Sequence, residues 1–336
     1  MIQPEERARS LRRRRGDRVR GLLTCFLAAS MPLAAVAAGE KVYRLAELEP
    51  SAASFQFTHE VTLPELAKLG FSEGRNLILD ARVGDAQAMP GLVRELLRAD
   101  PDALIAVGPE AARAAHEATS TVPLVMLGPD FVRYGWAESL AHPGGNVTGV
   151  ATLAVELDGK RLDLLHQAVP TARHIAALSM RSVESGQPSE QEMRTVAASA
   201  GVHLLTFEAT GPDDYPAAFA AMRAAGAQAL AIVANPLFIR DAPSLAQLAL
   251  DANLPTVCEW AEMAKSGCML SYGPNRSELR LRIAHNVAQI FQGAAPGDLL
   301  IEQPTHYQFV VNLRTAKALG LTIPPSILAR ADEVIE

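Results

Sequence analysis

Aromatic side chains make up only 5% of the 336 residues, and there are only three cysteines. So few cysteines exclude a small scaffold held together by bridges, and the core must come from aliphatic packing. Signatures of group transfer are missing too. No G-x-S-x-G elbow raises a serine nucleophile, and no P-loop or G-x-G-x-x-G cradles a phosphate. The eight histidines (59, 116, 142, 166, 174, 203, 285 and 306) are scattered, with no H-x-H or H-E-x-x-H spacing, so no local zinc signature exists. His116, His166 and His285 fall in helical stretches, where a surface or half-buried role is ordinary.

Basic residues are short everywhere but at the start. Arg7, Arg9 and the Arg12–Arg15 run precede an uncharged apolar stretch from Gly21 to Ala38 that closes on Ala35 and Ala37. A basic head, a short apolar middle and an A-x-A end form the pattern of a secretory signal peptide. A nucleic-acid-binding arm would not explain the apolar stretch, and a retained anchor wants roughly 20 strongly apolar residues. The sequence therefore predicts a signal peptide over residues 1–37, cleavage near Ala37 and a periplasmic protein. Cys25 leaves with the signal, and Leu22-Leu23-Thr24 before it makes a poor lipoprotein site. Without the eight arginines and three acids of that segment, 23 basic and 34 acidic residues remain, a net charge of about −11. Such a surface argues against nucleic acid and anionic membrane as partners. A monomer of two domains is expected. In an oxidising compartment Cys258 and Cys268 are free to bridge, but spacing does not fix their separation, and two buried thiols are an equal reading.

From Gly70 onward, short β-like runs alternate with helical patterns. Leu77–Leu79, Ala103–Val107 and Leu124–Leu127 read as strands, with helical faces at Leu92–Leu97 and Ala111–Ala118 between them. The rhythm restarts after Gly149. Strands are expected at His174–Leu178, Val202–Phe207, Ala229–Ala234, Thr256–Cys258, Met269–Ser271 and Phe309–Val311. Helices are expected at Leu157–Ala168, Glu190–Ala200, Tyr215–Ala225, Leu245–Asp251, Ser277–Gln292 and Thr315–Leu319. Leu279, Ile283, Val287 and Ile290 share one face of Ser277–Gln292. The pattern predicts an α/β fold of two doubly wound parallel-sheet lobes facing each other across a cleft. Ligands of such sheets sit at the carboxyl ends of the strands.

Those strand ends supply the site candidates. Gly108 would offer a backbone N–H, Asp130 and Asn235 polar anchoring, and Phe238 and Trp260 apolar walls. Thr152, Ser271 and Tyr272 would line the crossings between lobes and donate hydroxyls. Aromatic faces beside amides and hydroxyls suit an amphipathic solute. Ser271 precedes a Gly-Pro turn, and as a nucleophile it lacks both a helix directly behind it and an identifiable base.

Several motifs together resemble a family of ABC-transporter substrate-binding proteins whose members include binders of aromatic amino acids. They are Gly70-Phe71-Ser72-Glu73-Gly74-Arg75-Asn76, His142-Pro143-Gly144-Gly145-Asn146-Val147-Thr148-Gly149, Leu270-Ser271-Tyr272-Gly273-Pro274 and Asn312-Leu313-Arg314-Thr315-Ala316-Lys317-Ala318-Leu319-Gly320-Leu321. The likeness runs through residues 64–336. It implies the type I periplasmic-binding-protein fold, two lobes joined by three crossovers, without catalysis or a cofactor, delivering a solute to a membrane permease of an ABC importer. Lobe 1 is expected over 41–150 with 275–304, and lobe 2 over 151–274 with 305–336. The Pro143–Asn146 turn is a natural hinge in that plan, beside the commoner reading of a surface turn.

The chain departs from the family at the start of the mature chain, where Lys41–Glu49 is far more polar than the family's usual first strand. It departs again at Ala234-Asn235-Pro236, where a carboxylate that would pair with an ammonium group is lost. Asp130 or Glu259 would have to replace it, and the expected ligand is amino-acid-like or aromatic or heteroaromatic. A ligand-sensing protein that presents its solute to a membrane receptor or kinase is the alternative. A periplasmic enzyme needs a base beside Ser271.

Overall fold

The computed structural model describes residues 41–181 and 186–336; the expected signal peptide lies outside the described residues. Strands β1 (Tyr43–Glu49), β2 (Leu77–Val83), β3 (Ala103–Val107), β4 (Leu124–Gly128) and β5 (Val147–Ala151) form one parallel sheet in the order β2-β1-β3-β4-β5. The second sheet holds β6 (His174–Met180), β7 (His203–Ala209), β8 (Ala229–Ile232), β9 (Thr256–Cys258), β10 (Leu270–Pro274), β11 (Tyr307–Asn312) and β12 (Glu333–Ile335). Its order is β12-β11-β10-β9-β8-β6-β7. Both orders reverse direction beside their first strand, as doubly wound sheets do. Every residue of β3 is buried, which is why that strand reads as an unbroken apolar run, covered on both faces.

The chain passes between the sheets three times: after β5, after β10 and before β11. The second passage is the informative one. Helix Arg276–Phe291 follows β10 in sequence yet packs against β3, β4 and β5 of the first sheet. Its first turn is capped by Asn275, whose side chain accepts a hydrogen bond from the Glu278 N–H, and the expected face of Leu279, Ile283, Val287 and Ile290 is buried. The third passage explains the two strands, β11 and its parallel neighbour β12, that run against the rest. β11 pairs antiparallel with β10, because a chain arriving from the first lobe enters at the cleft, where parallel strands end, and must run away from it.

The polar Lys41–Glu49 segment contains a central strand after all. Within β1, Glu47 and Glu49 are fully buried, and Arg280 of helix Arg276–Phe291 reaches them at 3.0 and 2.5 Å. The Pro143–Asn146 turn belongs to the first lobe, ahead of the crossing. The Gly144 N–H donates to the Gly297 carbonyl at 3.3 Å, and Asn146 ties the loop down by donating to the Thr119 and Val122 carbonyls. Cys258 and Cys268 are joined in a disulfide that links the end of β9 to the residues before β10, with Cα atoms 6.5 Å apart. Closing so short a loop is worth about 3 kcal/mol through the unfolded state. Among the described residues, no helix is long and apolar enough to cross a membrane.

Candidate functional site

A cavity of about 100 Å³ lies where strand ends of the two sheets meet. That is several times the room one water needs. The first lobe contributes Val107-Gly108-Pro109, Leu127-Gly128-Pro129, Ser54 and Tyr134; the second contributes Ala234-Asn235-Pro236, Ile239, Glu259 and Trp260. Thr152 lines it from the first crossing, and Arg276, Leu279 and Arg280 line it from the helix after the second.

Of the residues expected from the sequence, Gly108, Thr152, Asn235 and Trp260 meet at this cavity. Gly108 has φ +89° and caps helix Pro109–Ala118; a Cβ there would approach Pro236 Cγ of the other lobe at 3.4 Å. Only glycine adopts that backbone without strain and leaves that much room between the lobes. The Thr152 hydroxyl donates to the Gly128 carbonyl at 3.1 Å. Asn235 spends its side-chain oxygen on capping helix Pro236–Arg240, accepting from the Leu237 N–H at 2.9 Å.

The structure puts the other four outside the lining. The Asp130 carboxylate accepts from the Val132 and Arg133 N–H groups, holding the loop that carries Tyr134. Phe238 packs into the core beside Tyr215. Tyr272 stacks on Tyr307, and its carbonyl accepts from Arg161. Ser271 is fully buried, and its hydroxyl has no hydrogen-bond partner among the described residues, so no base stands beside it.

Sequence reasoning missed the charged floor. Arg280 donates to Glu47, Glu49 and Ser54, and Thr58 donates to Glu47 at 2.6 Å. Burial, and then the neighbouring Glu49, hold the Glu47 carboxyl well above the ordinary carboxylate range. One arginine thus serves two acids. Arg276, one helical turn earlier, forms no ion pair among the described residues, although Glu262 lies near enough to act on it; its guanidinium carbon lies 4.0 Å from the Phe57 ring centroid and 5.5 Å from that of Trp260. The signal in the sequence was the pairing of two acids in β1 with arginines spaced i, i+4 on a helix more than 220 residues away, and distance along the chain hides such a pairing.

Glu259 completes the wall. It is 4% exposed, and burial pushes its carboxyl up to about 7 against the opposing pull of Arg161. The Trp260 Nε1 makes no hydrogen bond of acceptable geometry, yet lies near enough to pull the Glu259 carboxyl down somewhat. A Cβ on Gly273 would fall 2.2 Å from the Glu259 carbonyl, so β10 can approach this wall only with glycine there. Among the described residues, no group of three His, Cys, Asp or Glu side chains is placed to hold a metal ion. The arrangement offers charge, aromatic faces and apolar surface to a guest.

Comparison with known proteins agrees with this geometry. The model of the ABC transporter substrate binding protein family matches residues 62–335. A tyrosine-binding protein of Clostridioides difficile (strain R20291) is 20% identical over 255 residues, 75% of this chain and 73% of that one. Among solved structures, a conserved domain protein of Vibrio cholerae superposes with a TM-score of 0.80 at 24% identity, covering 88% of this chain and 100% of the other. An ABC domain of Streptococcus pneumoniae in complex with L-Trp gives 0.78 at 22% identity, with the same 88% and 100% coverage. Proteins of this family bind small solutes and work with ABC permeases. The chain belongs to the ABC transporter substrate-binding protein family and has the type I periplasmic-binding-protein fold.

Proposed function

We propose that this protein is the extracytoplasmic solute-binding component of an ABC importer, capturing one small amino-acid-like or aromatic or heteroaromatic molecule between its lobes. The observation that carries this reading is the cavity itself, lined from both sheets at their strand ends and from two of the three crossings. A guest there touches both halves, and contact with both is what favours closure. The tyrosine-binding relative and the L-Trp complex support an aromatic amino acid as the first ligand to try. In this reading residues 1–37 direct export to the periplasm, 41–150 with 275–304 form the first moving body, and 151–274 with 305–336 form the second. The protein works as a monomer that docks on its permease.

A thermal-shift screen of residues 38–336 against amino acids, nucleobases and sugars tests the proposal. A true ligand at a hundredfold excess over its Kd stabilises by about 2.7 kcal/mol. One chemical class should raise the melting temperature and the others should not. Silence across the panel would count against solute capture.

A further inference from the structure

The cavity lining holds three charged side chains, Arg280, Arg276 and Glu259. Arg280 is satisfied twice over by Glu47 and Glu49. Arg276 and Glu259 form no ion pair among the described residues. Glu259 is buried and Arg276 half-buried; withdrawing a charge from water without a partner costs free energy, and the protein pairs its fully buried arginines, Arg280 and Arg161.

The two groups come from opposite walls. Arg276 opens the helix that packs on the first sheet, and its guanidinium carbon lies over the rings of Phe57 of the first lobe and Trp260 of the second. Such ring contacts use none of the five N–H donors that a guanidinium can offer to a planar anionic partner. Glu259 follows β9 in the second lobe. The charged groups acting on it are Arg161 and Asp158 of helix Ala154–Ala168, and Arg276. Arg161 is already committed, to Asp158 at 2.7 Å and to the Tyr272 carbonyl at 3.0 Å. It therefore leaves Glu259 with an unused acceptor in the cavity wall.

We propose that Arg276 and Glu259 are the specificity-determining pair of this site, Arg276 receiving a carboxylate of the ligand and Glu259 its protonated amine. The inference rests on the solute-capture reading above and narrows it to a molecule carrying both groups. A simple anion would satisfy Arg276 and leave Glu259 idle. An amine would do the reverse, and a neutral solute would leave both. Trp260 and Tyr134 remain for the apolar part of the guest.

Calorimetry with L-tyrosine, its amide (no carboxylate) and its desamino acid (no amine) tests the assignment on the wild type, Arg276→Gln and Glu259→Gln. A charge-assisted hydrogen bond is worth about 10- to 100-fold in affinity. Arg276→Gln should therefore weaken L-tyrosine by that factor, and its preference for L-tyrosine over the amide should collapse toward one. Glu259→Gln should do the same to the preference over the desamino acid, and Arg276→Lys should recover part of the loss. Unchanged binding of the truncated ligand by the same variant shows that the fold is intact. Wild-type binding of L-tyrosine should also release protons at neutral pH, read as a heat that depends on the buffer. Variants that weaken all three ligands alike, or none, overturn the pair. Silence of all three ligands, while a sugar or nucleobase stabilises the wild type, overturns the pair and leaves capture standing. Silence of every solute overturns both.

Discussion

Each lobe buries one arginine among two acids, and the two clusters are finished differently. In the first lobe Arg280 contacts both Glu47 and Glu49 and donates to Ser54, and Thr58 donates to Glu47, while the second oxygen of each acid has no hydrogen-bond partner among the described residues. In the second, Arg161 binds Asp158, and Asp158 also accepts from the Ala234 N–H at 3.2 Å. Glu259 is left over at the cavity wall, its carboxyl raised to about 7 chiefly by burial. In the first cluster both acids reach the arginine, and the contact fixes a polar strand in the middle of a sheet. In the second, Glu259 forms no ion pair among the described residues and stands at the cavity wall, where the proposed guest would meet it.

The largest effect should come from breaking the finished cluster. Arg280→Met leaves two acids buried without a cation, and losses for such breaks run at about 3–5 kcal/mol. Urea denaturation should show it, and adding Glu47→Gln with Glu49→Gln should restore most of the stability. If the single variant is as stable as wild type, the network contributes nothing.

The unfinished cluster should respond to pH instead. The folded state raises the Glu259 carboxyl from its usual 4.5 to about 7, so between those values the native protein holds a proton that the unfolded chain has released. Its contribution is therefore intact below the usual carboxylate range and is lost as pH rises through about 7. Without ligand, the wild type should lose roughly 3 kcal/mol over that span relative to Glu259→Gln. Denaturation midpoints of both proteins from acid to mildly alkaline buffer check this, and parallel curves would show that Glu259 is not perturbed.

The smallest effect separates the two helix starts that face each other across the cavity. Helix Pro109–Ala118 begins at Gly108 with no side-chain cap, whereas helix Pro236–Arg240 is capped by Asn235. Asn235→Ala should cost about 1 kcal/mol, and Asn235→Asp, which keeps the acceptor oxygen, should cost far less. Equal melting temperatures for Asn235→Ala and wild type would mean that the cap carries no weight.

Much of the scaffold was legible before the structure, because its signals are local. Ala103–Val107 is apolar throughout since both faces of β3 are covered, and Leu279, Ile283, Val287 and Ile290 repeat at the helical period because one face is buried. Gly108, Thr152, Asn235 and Trp260 reach the cavity because they stand at strand ends, which at a topological switch face the cleft. Phe238 was read as a wall and Tyr272 as a hydroxyl donor for the same reason, but the direction of a side chain at a strand end depends on the neighbouring element: Phe238 packs into the core beside Tyr215, and the Tyr272 ring stacks on Tyr307. Arg276 and Arg280 went unread, being ordinary helix residues until the fold places them over Phe57 and β1.

By itself the sequence determined the alternation of strand and helix, the acidic balance and the family, since periodicity, composition and motifs are carried by neighbours along the chain. The tertiary structure alone decided which charges meet. Glu47 and Arg280 stand 233 residues apart, and only the return of the chain after β10 to the first sheet brings them within a hydrogen bond. Whether a charge is paired or left open depends on which groups share its low-dielectric surroundings, and no local pattern encodes that.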